Sequence, residues 1–391
     1  MPAAGLRAVV SRELLHLRRN PWDLALLLWF PAATLALMLW LFSAGVPTSL
    51  PIAVVDEDHS VASRDLARRM SAMRGLAITA RPASLEAALP LVRSGGVYGV
   101  VHIPANWERD RLRNAPQPVV LYDNAQFSLV AGLMGNDVRA AVTSMVIERA
   151  VASEARFGGG FSQATARVGG VQADLRTLFN PALSYEAYLG GMLLPVALHL
   201  FCVIAAVSAL GREFRDRTVD AWLASAGGSL ASAVAGKLAP VALVFIVFAL
   251  ALVSAFAGWR GWTPAGSLAL WIVALAVLVI DSIAVAVMLV GLSKSLRLAL
   301  SLTGIYVATG LAFSGFSFPR AAMSPLAHWW GGLLPFTHYL PVQQGQWLGG
   351  ASASAWAQGM VPLLLFIAVP LLVGLPLLSR AVRQPQCWGA R

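Results

Sequence analysis

Residues 267–292 read SLALWIVALAVLVIDSIAVAVMLVGL, 26 positions with one charged side chain, Asp281. About 20 apolar residues, rising 1.5 Å each as α-helix, cross the ~30 Å hydrocarbon core of a bilayer. A surface helix of a soluble protein keeps a polar face. This run has none, so it predicts a membrane span. Five more runs share the pattern, at 22–44, 187–210, 238–258, 298–317 and 359–379. Pro31 in the first and Gly304 and Gly310 in the fifth are compatible with spans, where neighbouring helices re-satisfy a freed backbone group. The first run exceeds the 7–15-residue apolar core of a cleaved signal peptide, which predicts a retained anchor.

Bulk composition agrees. The 391 residues are 58% hydrophobic and 12% charged, whereas soluble domains are about a quarter charged. The net charge of +10 is not gathered into one basic domain, which argues against nucleic-acid binding. Many basic residues sit at the ends of apolar runs. Arg7, Arg12, Arg18 and Arg19 precede the first run, Arg212, Arg215, Arg217 and Lys237 separate the second and third, and Lys294 and Arg297 separate the fourth and fifth. Arg380, Arg383 and Arg391 follow the last, while the opposite short connections carry only Arg260 and Arg320. The positive-inside rule then places both termini in the cytoplasm.

The fold class that follows is a polytopic α-helical membrane protein of six spans with an extracytoplasmic α/β domain inserted between the first two. The segments are 1–21, a cytoplasmic amphipathic N-terminal helix; 22–44, the first span; 45–185, the inserted domain; 186–379, the remaining spans; and 380–391, a cytoplasmic tail. Within the insert, Ile52–Val55 before Asp56-Glu57-Asp58 predicts a buried strand. Ser84 caps a helix carrying Leu85, Leu89 and Val92 on one face. Residues 98–103 and 119–122 predict two more strands, the second stopped by Asp123-Asn124. Leu129, Leu133, Val138, Val142, Met145 and Val146 fit a helix over 126–155 with one slip of period. Gly158–Gly160 and Gly169-Gly170 predict a turning loop. The two cysteines, Cys202 in a span and Cys387 in the tail, leave the insert without a disulfide, and no metal-ligand spacing is present.

Between the second and third spans lies Arg212-Glu213-Phe214-Arg215-Asp216-Arg217-Thr218-Val219-Asp220. As an amphipathic helix at the cytoplasmic surface, this segment presents charge to a soluble partner and keeps Phe214, Val219, Trp222 and Leu223 toward the membrane. A plain membrane anchor is the simpler alternative, but anchoring has no use for Glu213, Asp216 and Asp220. Gly236-Lys237 opens the next run. It is no phosphate-binding loop, because Leu238 replaces the hydroxyl residue and Ala231 the leading glycine. The six histidines are scattered, and no Gly-x-Ser-x-Gly is present, so nothing favours an enzyme and no catalytic residue is assigned.

Leu6, Val9, Val10, Leu14 and Leu17 line one side of an N-terminal interfacial helix, with Arg12 and Glu13 opposite. Asp281 and His199 are candidate intramembrane polar sites; an intramembrane carboxylate marks a functional site by default, with a structural hydrogen bond as the alternative. Residues 316–345, preceded by Gly315 and broken by Pro319, Pro325 and Pro335, predict a re-entrant or paired half-helix gate. Trp329, Trp330, Tyr339 and Trp347 suit an outer aromatic belt.

From Phe179 onward the chain resembles the permease subunits of the ABC-2 type transporters. Phe179-Asn180-Pro181 is similar to the family's entry to its second span; Arg212, Glu213, Phe214, Thr218 and Asp220 to its charged signature; and Lys237 to its following lysine. Gly315, Phe316, Pro319, Pro325, Pro335 and Tyr339 look like its last extracytoplasmic hairpin. The anchor followed by a large outer domain resembles the drug-exporter-like branch. Arg217 stands where the family commonly has glycine, and Arg215 where it often has glutamate.

The resemblance implies an inner-membrane exporter of a drug-like molecule or lipid in a bacterial cell. ATP and Mg would sit on a separate ABC ATPase subunit, with no cofactor on this chain. The segment 211–236 would dock that ATPase, a second copy or paralogue would complete the pore along spans one, two and five, and a periplasmic adaptor would receive cargo. Glu213→Ala would then insert normally but lose ATPase binding. The alternatives are a membrane-anchored sensor or scaffold with a ligand-binding outer domain, or an intramembrane enzyme using Asp281 or His199.

Overall fold

The computed structural model describes residues 5–113, 117–123, 128–156, 180 and 183–389. The expected loop at Gly158–Gly160 and Gly169-Gly170, Asn124, Phe179, Pro181 and Arg391 lie outside them. The chain divides into two compact units, residues 1–43 with 189–391, and residues 44–188.

Among the described residues an N-terminal helix, Leu6–Arg19, precedes six helices long and apolar enough to cross a membrane, which lie in the first unit apart from the first residues of the second. These are span one, Pro21–Leu41; span two, Glu186–Arg215; span three, Leu230–Trp259; span four, Leu268–Ser293; span five, Leu296–Phe313; and span six, Ala353–Val382. Most extend beyond the apolar runs because polar residues continue the helix at its ends. In span one a π-helical turn, Ala25–Trp29, lies just before Pro31. Proline has no N–H and its ring presses on the preceding turn, which the wider π geometry relieves. Spans four and six cross closely: a Cβ on Gly374 would stand 2.7 Å from Met288 Cα, and one on Gly291 2.8 Å from the Gly374 carbonyl oxygen. Small residues permit such backbone approach where no hydrophobic effect drives helix association.

After span five the chain folds into two short helices, Pro325–Gly332 and Pro335–Trp347. Each begins with proline, which suits the first helical turn. Two of the expected belt aromatics are instead core. Tyr339 and Trp347 are buried; Tyr339 donates to Gln343 Oε1 at 2.6 Å, and Trp347 stacks on Trp271 with centroids 5.4 Å apart. Gln343 in turn donates to the Gly191 carbonyl of span two. Trp329 stays exposed and Trp330 half-buried.

The second unit holds a four-stranded sheet of order β2-β1-β3-β4. β1 (Leu50–Asp56) runs parallel to β2 (Leu76–Ala80) and β3 (Gly99–Ile103), and β4 (Val120–Asp123) is antiparallel to β3. Both faces of β1 are covered: Ile52 and Val54 pack with Leu66, Met70 and Met134, while Ala53 and Val55 pack with Ala88 and Val100. Double burial explains the uninterrupted apolar run. Asp123, expected in a turn, ends β4.

Ser60 and Ser84 cap the helices Val61–Ala72 and Leu85–Arg93 by accepting from Ser63 N and Ala87 N. Ala88 takes the buried position and Leu89 turns outward. The long helix Ser128–Arg156 buries Val130, Met134, Val138, Ala141 and Met145. That stripe runs one residue out of step with the expected Leu129–Leu133 pairing, so no slip of period is needed.

Candidate functional site

The residues singled out between spans two and three divide by burial. Arg212, Glu213, Phe214 and Lys237 are buried, as are Val219 and Trp222, while Arg215, Asp216, Arg217 and Asp220 are exposed. The single surface helix expected here does not form. Span two itself continues through Arg215, a tight turn follows, and a short helix, Val219–Ser225, precedes span three. Phe214, Val219 and Trp222 face the protein interior, not the membrane. Trp222 donates to the Ala233 carbonyl at 3.1 Å.

The buried charges belong to a cluster that sequence reading missed. Glu13 of the N-terminal helix is paired with Arg212 and accepts from Lys237 Nζ at 2.9 Å. Glu213 accepts a two-pronged bond from Arg12, at 2.7 and 2.9 Å, and also bonds Lys237 and the Thr218 hydroxyl. Asp23, at the start of span one, accepts from Arg212 at 3.0 Å and lies 2.6 Å from His16 Nε2. Three basic side chains, Arg12, Arg212 and Lys237, thus meet three carboxylates, Glu13, Glu213 and Asp23. The Glu213 hydrogen bond pushes the Arg12 guanidinium further above its ordinary pKa.

Buried ion pairs repay their desolvation only when geometry and hydrogen bonding are good, so the cluster is not a simple gain in stability. Its effect is to fix one geometry, because every other arrangement leaves a dry, unpaired charge. It ties together the N-terminal helix, the start of span one, the end of span two and the start of span three.

Lys237 reaches this centre because Gly236 clears the way. A Cβ on Gly236 would lie 2.8 Å from Val9 Cβ and 2.9 Å from the Leu6 carbonyl oxygen, so the glycine lets the N-terminal helix lie on span three. The buried stripe of that helix is Val9, Glu13 and Leu17, at four-residue spacing. Glu13, expected opposite the apolar side, lies within the buried stripe, while Leu6 and Leu14 of that apolar side are exposed. An acid inside an otherwise apolar i, i+4, i+8 stripe was the available signal for the cluster.

The turn after span two closes as a Schellman motif. Thr218 N bonds the Glu213 carbonyl at 2.9 Å and Arg217 N the Phe214 carbonyl at 3.3 Å, with Arg217 left-handed at φ 57°. Glycine favours that position because it has no Cβ to clash. Arg217→Gly is therefore expected to keep or raise the melting temperature, whereas Arg217→Val, a β-branched residue at positive φ, should cost ~1–2 kcal/mol. Thermal unfolding of the two purified variants checks this.

The other candidates are separate. His199 Nδ1 lies 2.7 Å from Ser282 Oγ, which itself donates to the Leu278 carbonyl at 2.6 Å. Asp281 is fully buried and, among the described residues, neither carboxylate oxygen has a hydrogen-bond partner, so the two candidates do not form one hydrogen-bonded site. Gly315 adopts φ 91° and Pro319 leads into a short 3-10 turn, Arg320–Ala322. Asn180 bonds Ser184 through both the backbone N–H, at 2.9 Å, and carbonyl, at 3.1 Å, and Ser184 Oγ accepts from Ala187 N at 3.4 Å. The asparagine of the Asn-Pro pair thereby shapes the entry to span two. Among the described residues no cluster of histidine, cysteine or acidic side chains could hold a metal ion.

Comparison with known proteins agrees with this architecture. No curated protein matches the chain. The family profile described as ABC-2 family transporter protein matches residues 21–375, which takes in the first five spans, the insert and most of span six. The chain belongs to the ABC-2 transporter family and is a multi-pass membrane transport component of it, not the ATPase.

Proposed function

We propose that this chain is the permease subunit of an ABC exporter, in a bacterial inner membrane, driven by separate ATPase subunits. Members of the family usually work with an ABC ATPase. The observation that carries the reading is the division of charge after span two. Arg212, Glu213 and Lys237 are consumed internally, while Arg215, Asp216 and Asp220 face outward on the turn and the short helix. The outward set meets the ATPase; the inward set makes the turn move as one body with the N-terminal helix and spans one to three. In this reading the turn is cytoplasmic and the insert extracytoplasmic, an orientation that the distribution of arginine and lysine supports.

The dimer expected of such a permease has room to form. The apolar window of span one is 17% buried within the chain and those of spans five and six 22%, against 67% and 61% for spans two and four. Of these exposed spans, one and five are the pair that the family resemblance sets against a second copy or a paralogue, with an amphiphilic or apolar substrate moving between the two subunits. A periplasmic adaptor taking cargo from the insert completes the assembly.

The test is co-purification from the native host in mild detergent. The wild-type chain should bring down a soluble ABC ATPase, and a variant combining Arg215→Ala, Asp216→Ala and Asp220→Ala should lose most of it while keeping its melting temperature. Full recovery of ATPase by that variant would move the docking site elsewhere. Recovery of a signalling protein in place of any ATPase would overturn the permease reading.

A further inference from the structure

The chain beyond span six folds back on the cytoplasmic end of the bundle. A 3-10 turn, Pro385–Cys387, bends it, and the Trp388 indole N–H donates to the Ala381 carbonyl at 3.4 Å, which holds the bend against the end of span six. Past the bend, Gly389 N donates to the Phe214 carbonyl at 2.8 Å. Phe214 stands at the turn after span two, so the returning chain is bonded to that turn. Gly389 takes φ 80°, and a Cβ on it would stand 3.0 Å from Arg217 Nη2. The glycine lets backbone lie directly against the Arg217 guanidinium, a contact that a glycine in place of Arg217 could not supply.

The near end of the same segment is held elsewhere. Gln384 Oε1 accepts from Lys294 Nζ at 2.9 Å. Lys294 closes span four at φ 54°, with its N–H on the Val290 carbonyl at 2.9 Å, so it stands on the short connection between spans four and five. That connection already touches span two, where a Cβ on Gly211 would lie 2.8 Å from Leu296 Cδ1. Residues 384–389 therefore bridge the turn after span two and the connection after span four, with a hydrogen bond at each end.

Apolar packing such as Leu296 on Gly211 is non-directional and lets helices slide. A hydrogen bond is directional and weakens steeply when its ends move out of line. The bridge is also thin. Pro385 and Gln386 are exposed, and a segment with little buried apolar surface opens at small cost. Such a segment adds little to the stability of the bundle, yet it senses the relation between the two connections it joins. The charge cluster ties the turn to the N-terminal helix and spans one to three; the bridge ties it to the ends of spans four and six.

We propose that residues 384–389 form a strap that passes movement of the turn after span two to the connection between spans four and five and to span six. Applied to ATP-driven movement, this rests on the permease reading; as a mechanical link it needs no ATPase.

The experiment is hydrogen exchange of the full-length chain in lipid nanodiscs, read by mass spectrometry at peptides covering 214–220 and 293–297. Lys294→Met cuts one end of the strap. Gly389→Pro cuts the other, because proline has no N–H and cannot take φ 80°. Each should speed exchange of the turn roughly three- to tenfold, the scale of one net hydrogen bond, with little change in melting temperature. The double variant should match Gly389→Pro alone, since a link cut at one end is already cut. A turn unaffected by Lys294→Met overturns the proposal, as do additive effects in the double variant. Should Gly389→Pro fail to fold, the turn in Lys294→Met decides alone. With the co-purified ATPase present, a non-hydrolysable ATP analogue should change exchange at both peptides in the wild type, and at 214–220 only in Gly389→Pro. A response at 293–297 that survives Gly389→Pro overturns the strap. Recovery of no ATPase would sink the permease reading and leave the resting comparison to decide the strap.

Discussion

Glu13→Ala is expected to cost ~3–5 kcal/mol of stability, the penalty for removing one partner of a buried ion pair. Glu13 is bonded to both Arg212 and Lys237, whose side chains are only 6% and 1% exposed. Without Glu13, Arg212 keeps Asp23 and Lys237 keeps Glu213, but the three positive charges of the cluster, two of them buried, then face two carboxylates. Arg12→Ala should cost less, because the Arg12 side chain is 32% exposed and water replaces part of what is lost. Adding Lys237→Met to Glu13→Ala should recover part of the loss, since an apolar side chain of similar length removes the stranded charge. Thermal unfolding of the four purified proteins checks the order. A Glu13→Ala protein as stable as wild type would mean that the N-terminal helix is not held by this cluster.

The same reasoning changes what Glu213→Ala means. Read from sequence as a contact with the ATPase, Glu213 is held within the chain by Arg12, Lys237 and Thr218. Its removal should loosen the packing of the N-terminal helix, so any loss of ATPase would accompany a loss of stability.

Gly374→Val should be the most damaging single change within the spans. The new side chain would meet Met288 Cα and N, 2.7 and 2.8 Å from its Cβ, and a helix backbone cannot rotate aside as a side chain can. Ordinary overpacking costs ~1–3 kcal/mol; here spans four and six must separate along their length. The expected result is little monodisperse protein from Gly374→Val, and a lowered melting temperature for Gly374→Ala. A normal yield and melting temperature for the valine variant would contradict the close crossing.

Much of the membrane unit was legible because its signal is local. Hydropathy alone marks a span, since lipid leaves a helix no polar alternative. The strand at Ile52–Val55 and the cap at Ser84 were legible for the same reason, each set by a few consecutive residues. What stayed hidden depended on partners far along the chain. Arg12 and Glu213 are 201 positions apart and Lys237 and Glu13 224, so their charges read as solvated until packing brings them together. Tyr339 and Trp347 looked like belt aromatics because composition cannot distinguish an interface ring from one stacked inside a helix bundle. Arg217 was visible as a departure from the family pattern, but its meaning came only from its left-handed backbone.

The most direct test of the central claim, that inward charges hold the fold while outward charges meet the ATPase, is ATPase recovered per folded permease. It should be measured on three samples side by side: wild type, Glu13→Ala, and the combined Arg215→Ala, Asp216→Ala, Asp220→Ala variant. Glu13→Ala should lower the melting temperature but keep recovery per folded chain near wild type. The outward variant should keep the melting temperature and lose most of the ATPase. Full ATPase recovery by the outward variant, or its loss of stability in place of binding, would contradict the claim.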